Sequence, residues 1–197
     1  AFDPQGVAAE VEVAPPRRRM SADQWLGHRR QRRPVLIGEP VGGIGLRVLR
    51  LLKPFDVHLH YMDRYKLPDA VEKELNLTHH TSLESLTKVC DVVTLNCPLH
   101  PETEHMINDK SLKNFKRGAY LVNTARGKLC DRDAIVRALE SGQLAGYAGD
   151  VWFPQPAPQD HPWRSMPHHG MTPHISGTSL SAQTRYAAGT REILECY

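Results

Sequence analysis

From residue 34 onward, short apolar runs alternate with amphipathic stretches: PVLIGEPV (34–41), DVHLHY (56–61), DVVTLN (91–96), AYLVNT (119–124) and LAGYAGD (144–150). Runs of this length, rich in Val, Leu and Tyr, predict strands buried on both faces. The stretches between them read as helices. In CDRDAIVRALESGQL, Asp131 is placed to cap a helix whose apolar face is Ile135, Val136 and Leu139, and Gly142 is placed to end it. KELNL and SLESLTKV give shorter amphipathic pieces. Alternation of strand and helix predicts βαβ units, hence an α/β fold with a doubly wound parallel sheet.

In such a sheet, ligands bind outside the carboxyl ends of the strands. The polar residues that follow each run are therefore the candidates: Gly42 to Gly45, Asp63, Cys97 to Pro101, Thr124 to Gly127, and Asp150 onward. The stretch DVWFPQPAPQDHPWRSMPHHGMTPHISG (150–177) carries six prolines. Proline fixes φ and removes a donor, so this stretch can be neither a helix nor a central strand and reads as a long shaped loop.

Composition narrows the class. The 197 residues suffice for one good core, or one domain and part of another. No apolar run approaches the roughly 20 residues of a membrane span, so no membrane partner is expected. The four cysteines show neither CxxC nor Cys/His ligand spacing, which predicts no metal and a reduced, cytoplasmic setting. The formal charge is only +3, but Arg17, Arg18, Arg19, Arg29, Arg30, Arg32 and Arg33 stand against a single acid, Asp23. Taken literally, that cluster is a basic arm for nucleic acid or anionic lipid.

Two signals point to a dinucleotide. VGGIGLRVLRLL follows a strand and opens a helix, so backbone N–H groups near Gly42, Gly43, Ile44 and Gly45 can cradle a pyrophosphate. The GxGxxG fingerprint is incomplete, with Pro40 at its first position. Asp63 lies eighteen residues beyond Gly45, where an acid accepts hydrogen bonds from the adenosine ribose hydroxyls and repels a 2′-phosphate. NAD is thus favoured over NADP, with Arg64 as a softening neighbour.

The segments DVVTLNCPLHPETEHMIN, GAYLVNTARGKLCDRDAIVRALESG, AGYAGDVWFPQPAP and MTPHISGTSLSAQTRYA resemble NAD-dependent formate dehydrogenase, in the D-specific 2-hydroxyacid dehydrogenase superfamily. The likeness runs from about Gly42 to Tyr197. It implies a Rossmann coenzyme domain, a flavodoxin-like catalytic domain, a homodimer, and oxidation of formate to carbon dioxide with reduction of NAD. By matching motif, Arg126 is expected to clamp the formate carboxylate, and His174 to hydrogen-bond the same substrate near the nicotinamide. His168 and His169 match no motif and read as loop residues. Hydroxyacid dehydrogenases place a Glu against the active-site His, which must take a hydroxyl proton. Here Gln155 stands in that place; formate has no hydroxyl to deprotonate, so a neutral partner can orient His174 without making it a base. For NAD the resemblance implies Gly43 and Ile44 at the phosphates, Asp63 at the ribose, and Pro98, Leu99, His100, Pro101 and Glu102 along the adenosine side. It adds Thr124, Asp150 near the nicotinamide, and His174, Ile175, Ser176 and Gly177. Where the family carries Arg, this chain has Gly43.

Residues 1–34 do not resemble the family. Shifting the back-translation of QWLGHRRQR by one base gives codons compatible with SGWxIADSV, like the family's GW-x-IAD segment, so residues 1–34 are expected to be an irregular, out-of-frame segment, which leaves no nucleic-acid partner. Residues 35–178 are then the NAD-binding domain and 179–197 a helix returning to a catalytic domain largely missing from the chain. Apolar side chains meant for that domain, including Trp152, Phe153, Ile193 and Leu194, are expected to be exposed. Two readings follow: an enzyme transferring hydride from formate to NAD, or a catalytically inactive dinucleotide-binding fragment or module.

Overall fold

The structure, a computed structural model, describes the backbone of residues 34–37 and all of residues 43–196. The Arg-rich stretch, Pro40 and Gly42 lie outside the described residues, as does Tyr197. A seven-stranded sheet forms the centre, with strands β1 (Pro34–Ile37), β2 (Leu59–Met62), β3 (Leu77–His80), β4 (Val92–Leu95), β5 (Ala119–Asn123), β6 (Leu144–Gly149) and β7 (His169–Met171). Their order is β3-β2-β1-β4-β5-β6-β7, and every pairing is parallel. The order reverses between β1 and β4, and in doubly wound sheets that switch point opens a crevice at the strands' carboxyl ends.

All five expected strands are present, four of them trimmed toward their apolar centres and β2 shifted one residue beyond its run, to Met62. Two more strands appear where the pattern was read otherwise. KELNL is not one helical piece: helix α2 (Asp69–Leu75) stops because Asn76 adopts a left-handed conformation at φ 51°, and Leu77 opens β3. The proline-rich loop also contains β7, so His169 is a strand residue rather than a loop residue. β7 is the last strand of the sheet, an edge, which the neighbouring prolines tolerate.

The crossover helices are α1 (Ile44–Leu52), α3 (Leu83–Thr87), α4 (Asp109–Leu112) and α5 (Arg132–Glu140). α5 follows its sequence signals: Asp131 accepts a hydrogen bond from the Ala134 N–H at 2.8 Å, Ile135 and Leu139 are buried, and Gly142 takes φ 70°. The main core joins Leu86, Val93, Leu95, Ile107, Leu121, Leu129, Ile135, Leu144, Tyr147 and Trp163 beneath β4 to β6. Each fully buried Leu or Ile is worth about 2 kcal/mol of transfer free energy. A smaller cluster, Leu49, Leu59 and Leu75, holds α1 and α2 on the β2 side.

Helix α6 (Leu180–Glu195) is capped by Ser179 and buries none of its residues; Leu180 is 88% exposed. Ile193, Leu194 and Phe153 are exposed as the sequence predicts, but Trp152 is half-buried. Its ring packs against His161 and Trp163 of the same loop.

Candidate active site

The strand ends carry the candidate residues to one edge. At β1, Gly43 adopts φ 142°, a conformation L side chains rarely take, and its carbonyl receives the Arg47 N–H at the start of α1. Gly45 is buried against the sheet and Ile44 is exposed, so the turn presents backbone rather than side chain. No acidic residue occupies the first turn of α1, and its free N–H groups suit a phosphate.

On the neighbouring strand, Asp63 at the end of β2 accepts the Tyr65 N–H at 3.0 Å. It lines a cavity of about 340 Å³ together with Arg64, Cys97, Pro98, His100, Glu102 and Thr103, among others. A carboxylate beside a mostly apolar pocket is a lining whose chemistry suits a nucleoside. Of the five residues expected on the adenosine side, Pro98, His100 and Glu102 line the cavity. Leu99 packs against the core instead, and Pro101 begins the turn that follows. Thr103 was not anticipated from the sequence, although it shapes this loop: its hydroxyl donates to the Pro98 carbonyl at 2.9 Å and accepts from the His100 N–H at 2.8 Å.

After β5 the chain turns through Thr124 and Arg126. The guanidinium is exposed and donates to its neighbour's carbonyl, that of Ala125, at 2.7 Å. The turn is built on Asn123, fully buried, whose amide donates to the Arg126 carbonyl at 2.9 Å and accepts from the Ala125 N–H at 3.1 Å. A buried Asn at the end of an apolar strand has this use, and the sequence reading passed over it.

Past β6 and β7 come Gln155 and His174, with Gln155 Oε1 2.8 Å from His174 Nδ1. His174 is held at φ 66°. With the amide oxygen toward the ring, Nδ1 carries the proton and Nε2 faces outward. The segment bearing His174 is anchored by Asp150, which is 4% exposed. Its carboxylate accepts four hydrogen bonds: from the Thr172 hydroxyl, the Ile175 N–H, the Ser176 N–H and the Ser176 hydroxyl, at 2.5, 2.9, 2.8 and 2.5 Å. Burial alone would raise its pKa, but these donors outweigh burial and hold it well below the usual carboxylate range. Ser176 therefore faces Asp150, and the carboxylate's acceptors serve the protein's own loop.

The four cysteines form no disulfide; burial pushes the Cys130 thiol up to about 12. Among the described residues, no three His, Cys, Asp or Glu side chains are grouped to hold a metal ion. No helix among them is long and apolar enough to cross a membrane.

Residues 10–176 match the family described as D-isomer specific 2-hydroxyacid dehydrogenase, NAD binding domain. Among curated proteins, the chain is 80% identical over 156 residues to the formate dehydrogenase of Pseudomonas sp. (strain 101), covering 79% of this chain and 39% of that protein. It is 52% identical over 162 residues to the formate dehydrogenase of Candida boidinii, covering 79% of this chain and 44% of that one. Among solved structures, a Granulicella formate dehydrogenase superposes with a TM-score of 0.78 at 63% identity, over 85% of this chain and 44% of that one. The NAD-dependent formate dehydrogenase from Staphylococcus aureus in complex with NAD gives 0.71 at 42% identity, over 89% and 52%. The chain thus spans about two fifths of the length of these curated relatives.

Proposed function

The chain belongs to the D-isomer specific 2-hydroxyacid dehydrogenase family through its NAD-binding domain, and from that premise we propose that it serves hydride transfer from formate to NAD. The observation that carries this reading is the pairing of His174 with a neutral amide, Gln155, rather than a carboxylate. An enzyme acting on a 2-hydroxy acid must remove the hydroxyl proton, for which a carboxylate behind the imidazole is the suitable device. Formate dehydrogenation removes none. The C–H bond of the formate anion breaks, its electron pair leaves with the hydrogen as hydride, and the product is neutral carbon dioxide.

When bound, NAD supplies the hydride acceptor. The chain's own residues supply position and charge. The N-terminal N–H groups of α1 would face the pyrophosphate, and Asp63 would take the adenosine ribose in the cavity walled by Pro98, His100 and Glu102. Arg126, with its planar fork of donors, binds the formate carboxylate, and His174, oriented by Gln155, stands against the same anion. Catalysis of this kind consists mainly of orientation and of electrostatics set up before the reaction.

The exposed Tyr120, Leu180, Ile193 and Leu194 suit a second copy of the chain as partner. Cysteines without disulfides suit a reducing compartment such as the cytoplasm. Calorimetric titration with NAD, followed by an absorbance assay for formate-dependent NADH formation, tests the reading. NAD binding that is lost in Asp63→Ala, and turnover that is lost in Arg126→Ala, are the expected results. A polypeptide that binds NAD but turns over a 2-hydroxy acid and not formate would overturn it.

A further inference from the structure

Three segments bring Arg126, Gln155 and His174 to the site, and all three meet at one residue. Trp152 lies three residues before Gln155. Its indole Nε1–H donates to the Thr172 carbonyl at 2.8 Å, two residues before His174. Its backbone lies over Gly127, next to Arg126: a β-carbon on that glycine would stand 2.5 Å from the Trp152 carbonyl carbon. The ring is held in turn, with its centroid 5.3 Å from that of His161 in an edge-on arrangement, 6.3 Å from Trp163, and the Arg164 guanidinium 5.4 Å away. The next peptide is pinned as well. His161 is buried, its Nδ1 accepts the Trp163 N–H at 3.2 Å, and so its Nε2 bears the proton and donates to the Phe153 carbonyl at 3.0 Å.

We propose that Trp152 is a positioning residue that fixes the Gln155 segment relative to the His174 segment and to the Arg126 turn. The proposal rests on the functional reading of those three residues. Gln155 and His174 are both exposed, and a hydrogen bond between exposed side chains competes with water and contributes only about 1 kcal/mol. It cannot by itself hold two strand-end segments in register. Asp150 ties the His174 segment to the end of β6, and its four hydrogen bonds all go to residues 172–176. The indole bond is a second tie between the two segments, and its ring is packed against His161 and Trp163. A displacement of about 1 Å there is enough to cost two orders of magnitude in hydride transfer.

Trp152→Phe keeps the ring and deletes only the donor. Trp163→Phe deletes a comparable indole bond in the same aromatic group, from Trp163 Nε1 to the Arg132 carbonyl at 2.9 Å, which leads away from the site. Imidazole nitrogen NMR of His174 reads the Gln155 bond directly, without need of turnover. In Trp152→Phe the Nδ1 signal is expected to move to that of an imidazole in free tautomer exchange, and in Trp163→Phe to stay put. NAD affinity, measured by calorimetry, should stay within about twofold in both. In the full-length polypeptide carrying this sequence, kcat for formate should fall at least about tenfold in Trp152→Phe alone. A His174 signal unmoved in Trp152→Phe, or moved equally in both variants, overturns the proposal. If Trp152→Phe fails to fold, hydrogen exchange in the unsubstituted chain decides: an indole proton of Trp152 exchanging as fast as that of free tryptophan sinks the idea. Absence of NAD binding in the unsubstituted chain counts against the functional reading, while the His174 signal still decides the role of Trp152.

Discussion

Gly127 lies so close to the backbone of Trp152 that a β-carbon on the glycine would come within 2.5 Å of the Trp152 carbonyl carbon and 2.6 Å of its oxygen. Both are main-chain atoms, so no side-chain rotation relieves the contact. Gly127→Ala must push the Arg126 turn and the Gln155 segment apart. We expect a loss of about 1 to 3 kcal/mol in unfolding free energy, typical of overpacking. Formate turnover should fall more than tenfold, with a smaller change in NAD affinity, because the contact at Gly127 is with Trp152 and Phe153 and not with residues that line the Asp63 cavity. Urea unfolding and steady-state kinetics on the same preparation check this. An alanine variant with wild-type kcat would show that the turn does not depend on this contact.

Gln155→Glu keeps the shape of the pair and adds a negative charge beside the position proposed for the formate anion. Arg126, the cation proposed to bind formate, is exposed and well screened. Like charges a few ångströms apart at a protein surface repel by a few kcal/mol at most. The expected result is a KM for formate raised about tenfold or more, with the NAD Kd within about twofold. The rise should shrink in high salt. Unchanged formate KM would place the anion elsewhere.

The sequence made the sheet legible because parallel strands buried on both faces announce themselves as apolar runs, and all five of those runs became strands. It hid β3, because Leu77–His80 carries two histidines and a threonine and sits on an edge of the sheet, where burial is incomplete. It hid β7 because three residues, one of them Gly170, give no periodicity. The single-residue signals at the site, namely Asp63, Arg126, Gln155 and His174, could be read from chemistry and from motif. Their supports could not. Asn123, Thr103 and Trp152 act through backbone carbonyls and N–H groups brought near only by the fold. From the sequence Trp152 reads as surface left bare, since nothing local in the chain shows that His161, Trp163 and Arg164 come back to pack against its ring.

His60 and His80 stand side by side on β2 and β3, with His60 Nδ1 and His80 Nε2 2.9 Å apart, and the Ser85 hydroxyl 3.3 Å from the other nitrogen of His80. One proton serves the contact between the rings. Burial, and then the nearby charge of His79, push the His80 pKa below its ordinary 6.5. A histidine whose folded-state pKa is depressed binds fewer protons folded than unfolded. Its neutral form therefore contributes stability that is present above 6.5 and lost as pH falls below it. Unfolding free energy measured in steps from pH 8 to pH 5 should decline on the acid side, and His80→Gln should flatten that decline. A profile equally steep in the variant would assign the acid sensitivity to other groups.

The same reasoning with a carboxylate gives the opposite chemistry but the same acid sensitivity at Asp150. Its folded-state pKa lies below the ordinary 3.8, because four donors from residues 172–176 need the charged form. The stability it contributes is thus fully present above 3.8 and lost as pH falls toward the lower folded value. Asp150→Asn keeps the volume but offers one acceptor oxygen where there were two, and turns an NH2 toward donors from Ser176 or Thr172. Hydrogen bonds to a buried charge are worth about 1.5 to 3 kcal/mol each, and some of the donors can turn to water. The expected loss is roughly 3 kcal/mol at neutral pH, shrinking as the unsubstituted chain is titrated below 3.8. Hydrogen exchange should locate the damage, with faster exchange at the Ile175 and Ser176 amides and unchanged exchange in β4 and β5. If those two amides stay protected in the variant, the His174 segment is held by the sheet and not by Asp150.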